Sequence, residues 1–485
     1  AVTHLSRAIQ IPTESYDDKI VPKPFLDFHA FLQETYPLIH KHLTRTVVAN
    51  YSLLFTWPGK FPEKESLVLM SHMDVVPVLP DTLGDWTFPP YEGRVQDGRV
   101  WGRGGGDTKS TLIGIMEAVE GLLSVGFVPE RTVYLAFGHD EEAEGKVKGG
   151  FAISQHMEQN LGLTGKVGLI IDEGSGLLEM SGVTLASVGV SEKGYINVEL
   201  IVETKGGHSS VPPKHSGIGY SALLINALES SPFTPELPID HPIVSSMTCF
   251  VEHAPNPPLP LVNAIRNWPH SRPDLLALLV QFLPPDVVTS MLETTQAVDV
   301  IHGGLKVNAL PEKVTTLVNH RIGAHDSLKG VQERVISLLA PVSRKLGLNV
   351  TLEGFVQGSS DINVVEITNA VGRVTIKPLS KSAVLEPSPI SPYNTAADRG
   401  WRVLEGTIHN VFDQKGAEGR VIVSPLFMGG NTDTKSYWNL SKSIYRFSPG
   451  WSGDDNIHTV DEWTDIKGYL KGIYFYSEVI QNWSE

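Results

Sequence analysis

Cysteine is nearly missing from this chain. Cys249 is the only one among 485 residues, which excludes a disulfide framework and any zinc site built from thiolates. Basic residues are also short, with 39 Lys and Arg against 54 Asp and Glu, for a formal net charge of -15 at pH 7. A surface of that sign repels phosphate backbones, and no basic cluster offsets it, so nucleic acid is not expected as a partner. Long apolar runs are lacking too: the longest, LLALLVQFL at 275–283, falls well below the roughly 20 residues needed to span a bilayer. What is present is length and a hydrophobic fraction of 41%, enough to bury a large core and to build two or three domains.

The chain begins at Ala1 without methionine or an apolar leader, so a signal or anchor removed from upstream is expected. Asn50, Asn349, Asn439 and Asn482 each open an Asn-X-Ser/Thr sequon, which tilts the expected location toward a vacuolar, lumenal or secreted one.

The amino-terminal half alternates apolar runs (SLVLMSH, TVYLAFG, VGLIID) with helical stretches such as TLIGIMEAVEGLL. Uniformly apolar runs suit strands covered by helices on both faces, and their spacing fits crossover connections, so an α/β fold with a mixed sheet flanked by helices is expected. Near Val190 the texture changes to alternating strands (GYINVELIVET, KVTTLVNHRI) with helical runs between them, the pattern of an inserted α+β module. The expected division is residues 1–190 and 386–485 for the catalytic domain and 191–385 for an inserted lid of the dimerisation type. The segments 232–260 and 265–300 are expected to decorate the lid.

Carboxylates and histidines stand where these strands end or where loops begin, Asp107 at the start of a helix and His458 in a polar loop. They are His72 and Asp74 in SHMD, Asp107 in GRGGGDTKS, Glu141 and Glu142 in GHDEE, Asp172 in IIDEG, and His458 in DNIHTVDEW. Taken singly, each fits an ordinary strand end, N-cap or loop equally well. Together, hard oxygens mixed with imidazoles and no thiolate are the donor set of a hydrolytic divalent-metal site that keeps positions open for water. His72 and Asp74 lie two apart, so on an extended strand both face one side, and Asp74 can orient the imidazole. Of the adjacent acids, one can bind metal while the other serves as general base. No phosphate loop is expected, because Thr108 precedes Lys109 where that motif requires glycine.

The series HMD, GRGGGDTK, GHDEE, DEG and IHTVDEW closely resembles the cocatalytic zinc peptidases of the carboxypeptidase S and aminoacylase type, from about His72 to the carboxyl end. The resemblance implies two zinc ions per subunit, with cobalt or manganese as substitutes. His72, Asp107 and Asp172 would hold one ion, Asp107, Glu142 and His458 the other. It makes Glu141 the general base, Asp74 the orienter of His72, and His208 in GGHSS an oxyanion-stabilising residue reaching in from the partner subunit of a homodimer. Asn308, Arg321, Gly429 and Gly430 match substrate-contacting positions, Arg321 being suited to a free carboxylate.

The resulting expectation is a zinc carboxypeptidase or dipeptidase acting on short peptides. An N-acyl amino acid amidohydrolase is the nearest alternative, and a peptide-binding module that has lost catalysis is the alternative from another class. A phosphate-ester hydrolase would fit two metals but lacks a basic phosphate clamp.

Overall fold

The computed structural model describes residues 1–143, 149–354, 367–380, 383–413, 420–450 and 455–484. Its larger sheet has nine strands. Edge to edge these run Thr44–Val48, Ser52–Trp57, Val133–Gly138, Ser66–His72, Val167–Ser175, Ile444–Phe447, Val183–Glu192 and Ile422–Met428, with Leu177–Met180 paired to Val183–Glu192. Ser66–His72 lies parallel to both neighbours and is buried at every residue, which is why its sequence is apolar throughout rather than alternating.

Successive side chains of these central strands enter different cores. Leu67, Leu69, Leu135, Leu169 and Ile171 pack with helices Ser110–Ser124 and Ile466–Ser484. Val68, Met70, Ala136 and Ile170 pack with helix Gly149–Gln159 and with Tyr437 and Leu440. Each fully buried aliphatic side chain contributes roughly 1.5–3 kcal/mol, so two-sided burial fixes the strand register firmly. That register sets His72 opposite Gly138, bringing the loops that follow both strands to one end of the sheet.

The second sheet has six strands, in the order Thr295–Gly303, Lys313–Ile322, Gly194–Thr204, Gly372–Pro378 and Leu348–Leu352, with Val384–Leu385 also on Gly194–Thr204. Here burial alternates from Gly194 to Glu203, because one face is covered and the other is not. The covered face packs on helices Gly217–Glu229 and Leu328–Lys345, each N-capped by a serine, Ser216 and Ser327. The two crossings between sheets run side by side: Ser388 N–H donates to Glu192 C=O at 2.9 Å and Ser391 N–H to Val190 C=O at 2.8 Å.

One expectation is corrected. The helices of the region 232–300, Pro242–His253, Leu259–Arg266, Arg272–Phe282 and Pro285–Leu292, do not decorate the lid sheet. They form their own apolar cluster on the edge of the larger sheet, where Ile243, Val244, Met247 and Leu279 meet Val183, Leu185 and Ile422. From this region the strand Thr295–Gly303 joins the lid sheet, and Phe233, ahead of the helices, packs against the lid core beside His320. The edge strand Ile422–Met428 would otherwise leave an apolar face open, and these helices cover it.

Candidate metal centre

The donors converge at the carboxyl ends of the central strands. His72 Nε2 lies 3.0 Å from Asp107 Oδ1 and 3.3 Å from Glu173 Oε1. His458 Nε2 lies 2.9 Å from Asp107 Oδ2 and 3.0 Å from Glu142 Oε1. Asp107 thus places one carboxylate oxygen in each group. Among the described residues, three sets of donor atoms lie within 4.8 Å of one another: His72, Asp107 and Glu173; His72, Glu141 and Glu142; and Asp107, Glu142 and His458.

Glu173 therefore stands where Asp172 was expected. The reason is the period of the strand. Asp172 follows Ile170 onto the face that carries Tyr437 and Leu440, where its neighbours include Asp433 and Glu192. Glu173 follows Leu169 and Ile171 onto the opposite face, the one on which the helix beginning just after Asp107 packs. Asp172 Oδ1 accepts the Glu173 N–H at 2.9 Å, while Oδ2 is buried with no hydrogen-bond partner.

Asp74 is fully buried, and its Oδ1 lies 3.3 Å from His72 Nδ1. The same carboxylate accepts Ser15 Oγ–H at 2.7 Å and the N–H groups of Glu141 at 3.2 Å and Glu142 at 3.1 Å. One side chain thereby orients the imidazole and also fixes the start of the loop that carries the two glutamates.

Glu462 does the same for the Asp107 loop, and sequence reasoning missed it. Its Oε1 accepts N–H bonds from Gly104 at 2.9 Å, Gly106 at 2.9 Å and Asp107 at 3.1 Å, while Oε2 pairs with Arg103 at 2.5 Å. The N–H groups of Gly104, Gly106 and Asp107 pointing at one oxygen make an anion cradle, and Gly104 has φ of +86°, a conformation that glycine adopts without strain. The signal was available in GRGGGD, a nest seeking a carboxylate. His458 has φ of +63° in a loop that Asn456 closes by donating Nδ2–H to Asp461 C=O at 3.1 Å.

The electrostatics are those of crowded acids. Burial pushes Glu173 up to about 7 and raises Glu142, with Asp107 adding to both. Burial holds Glu141 well above the usual carboxylate range, and Glu173 and Asp433 add to it, opposed by His72 and Lys435. The hydrogen bonds to Asp107 and Glu142 lift His458 to about 10. Burial by itself would lower His72, but Glu173, Asp107 and Asp74 hold it well above its ordinary value. So many converging carboxylate oxygens, opposed locally by two imidazoles, fit hard or borderline divalent cations.

Asp107, Glu141, Glu142, Glu173 and His458 line a cavity of about 550 Å³. Gly429 and Asn431 line it as well, whereas Gly430 does not. Arg321 stands just behind, donating Nη1–H to Asn431 Oδ1 at 3.0 Å. His208 and Asn308 are not brought to the site within this chain: both are exposed on the lid, where Ser209 N–H donates to Asn308 C=O at 3.2 Å and His208 Nδ1 lies 2.7 Å from Ser210 Oγ.

A sheet with acid and imidazole donors gathered at the strand ends is the build of a metal-dependent hydrolase. Residues 68–482 match the family model for peptidase family M20/M25/M40, and the chain belongs to that family. It is 38% identical over 502 residues to carboxypeptidase S of Saccharomyces cerevisiae, covering 100% of this chain and 84% of that protein. It is 32% identical over 489 residues to the N-fatty-acyl-amino acid synthase/hydrolase of Bos taurus, covering 99% and 86%. Among solved structures, an M20 family metallo-carboxypeptidase from Sulfolobus solfataricus superposes with a TM-score of 0.65 at 17% identity over 100% and 99% of the two chains. Human carnosine dipeptidase 1 gives a TM-score of 0.65 at 14% identity over 100% and 95%. These neighbours share the catalytic sheet and lid. The chain is accordingly a hydrolase of the M20 metallopeptidase family.

Proposed function

We propose that this chain hydrolyses the carboxy-terminal amide bond of short peptides at a site that holds two zinc ions. The observation that carries this is the sharing of Asp107 between two donor groups with Glu141 beside them. His72, Asp107 and Glu173 would hold one ion and Asp107, Glu142 and His458 the other, and cobalt or manganese would be accepted by the same donors. When bound, the two ions supply positive charge that lowers the pKa of water and polarises the substrate carbonyl.

The protein's own part follows from the geometry. Glu141 is half-buried beside the donors without belonging to the set shared between Asp107 and His458. Its carboxylate takes a proton from the attacking water and delivers it to the departing amide nitrogen. Asp74 keeps the His72 imidazole oriented and holds the backbone of Glu141, so base and ligand are aligned by one group. The contact of Arg321 with Asn431 at the cavity wall supports a role for its guanidinium in gripping the free carboxylate of the substrate. The exposure of His208 supports a role in trans, completing the oxyanion site of the partner in a homodimer. Residues 1–190 with 386–485 would act as the catalytic body and 191–385 as the lid. Asn50 and Asn439 are exposed, which supports glycosylation and a vacuolar, lumenal or secreted location.

A second reading, hydrolysis of N-acyl amino acids, is favoured by the apolar side of the cavity and by the likeness to the bovine fatty-acyl enzyme. The test is hydrolysis of carbobenzoxy-Gly-Leu and an N-oleoyl amino acid, before and after chelation and with Glu141→Gln. Chelator-sensitive cleavage that disappears in Glu141→Gln is expected, and the faster substrate selects between the readings. No turnover of either by metal-loaded protein would overturn both.

A further inference from the structure

The helix Pro285–Leu292 belongs to the inserted helical cluster on the sheet edge, yet it also reaches the catalytic cavity. Its residues divide by helical position. Val288 and Leu292, four apart, are buried in the cluster's own core. Val287 and Met291, also four apart and rotated one position, are half-buried and line the cavity. Across from them the wall is completed by Leu178, Leu426, Phe427 and Met428 from the sheet. An apolar wall therefore shares one cavity with Glu141 and the metal donors.

This wall is held rather than loosely apposed. The carbonyls at the end of a helix lack partners within it, and here they are supplied from outside. Lys193 donates Nζ–H to Thr289 C=O at 3.0 Å, His241 Nε2 lies 3.1 Å from Met291 C=O, and Glu236 N–H donates to Leu292 C=O at 2.8 Å. The His241 ring also packs on Phe427, with centroids 5.2 Å apart. Preorganised apolar surface beside a reacting centre discriminates between substrates by size, since it need not be ordered on binding.

We infer that the inserted helix Pro285–Leu292 is a specificity element that, through Val287 and Met291, selects substrates with a bulky apolar group beside the scissile amide. The inference deepens the hydrolase reading and rests on it. The apolar group can belong to the amino-terminal acyl part or to the carboxy-terminal side chain, and two substrate series separate these sources. One keeps a carboxy-terminal leucine and lengthens the acyl group from acetyl to octanoyl. The other keeps acetyl-Gly and enlarges the carboxy-terminal residue from Ala to Phe.

The wild type is expected to favour the larger member in one series. Met291→Asn and Val287→Asn should each lower that large-to-small ratio of kcat/KM about tenfold or more. Val287→Phe, which narrows the cavity without adding polarity, should lower it too, keeping the test valid if an Asn variant folds poorly. Calorimetric titration of the Glu141→Gln protein with the preferred large substrate should show the matching loss of affinity in the Met291→Asn background. Ratios near one in both series for the wild type, or ratios unchanged in all three variants, would overturn the inference while leaving the hydrolase intact. Absence of any turnover would instead remove the hydrolase reading, and this inference with it.

Discussion

Glu462 accepts the backbone N–H of Asp107 across 355 residues of sequence, at 3.1 Å, with the same Oε1 that gathers Gly104 and Gly106. The carboxylate that both donor groups share is thus positioned by a second, fully buried carboxylate from the far end of the chain. His458 stands four residues before Glu462, so one loop supplies both a donor and the anchor for its opposite number.

Glu462→Gln keeps the shape but leaves Arg103, itself buried, without its counter-charge. Breaking a buried pair on one side costs about 3–5 kcal/mol. The expected outcome is a lower urea midpoint together with reduced metal content after dialysis, measured by mass spectrometry. Full metal retention would show that Asp107 holds its place without the cradle.

Glu173 and Asp172 offer a sharper contrast, because they are adjacent and both acidic. Glu173→Gln should lose one metal equivalent and activity by about a hundredfold or more, as removal of a direct ligand does. Asp172→Asn should keep its metal, and because burial together with Glu173 and Asp433 already holds Asp172 well above the usual carboxylate range, replacing it with a neutral amide should be tolerated. The reverse pattern in metal content would return the ligand role to Asp172.

That pair marks where sequence reasoning stops. Apolar runs such as Ser66–His72 revealed strands and placed His72, Glu141 and Glu142 at their ends, since continuous burial leaves an unmistakable composition. Choosing between Asp172 and Glu173 required knowing which face of the strand meets the helix after Asp107, and a run buried on both sides carries no such mark. Likewise the apolar stripes of the helices at 242–292 announced that they pack, not against which sheet. Glu462 sat unnoticed in VDEW because an acid in a polar loop looks solvated until the glycine nest that receives it is seen. His208 and Asn308 lie on an exposed lid surface, and the fold of this chain brings neither of them to the cavity.

Gly429 and Gly430 should behave differently despite being neighbours. A Cβ at Gly429 would clash with Ser290 Oγ on the cavity helix, whereas one at Gly430 meets nothing within 4 Å. Overpacking of this kind costs typically about 1–3 kcal/mol. Gly429→Ala should lower thermal stability and Gly430→Ala should not. Adding Ser290→Ala to Gly429→Ala should restore it, because the remaining Ser290 Cβ would stand 3.4 Å away.

Acid should loosen the helical cluster and the lid through two buried histidines. Burial lowers His241 from 6.5 to about 4, and it lowers His320 to about 4 as well. Between these values and 6.5 the unfolded chain binds protons that the folded chain refuses, so stability rises with pH across that window and is lost as pH falls through it. At 1.36 kcal/mol per pH unit, each contributes a loss on the order of 3 kcal/mol once pH is below 4. His241→Gln, whose amide can still donate to Met291 C=O, removes one titration. Urea midpoints at pH 7 and pH 5 should therefore differ less in His241→Gln than in the wild type, with the metal site common to both. An equal pH dependence in the two proteins would mean that His241 binds its proton as readily in the folded chain as in the unfolded one.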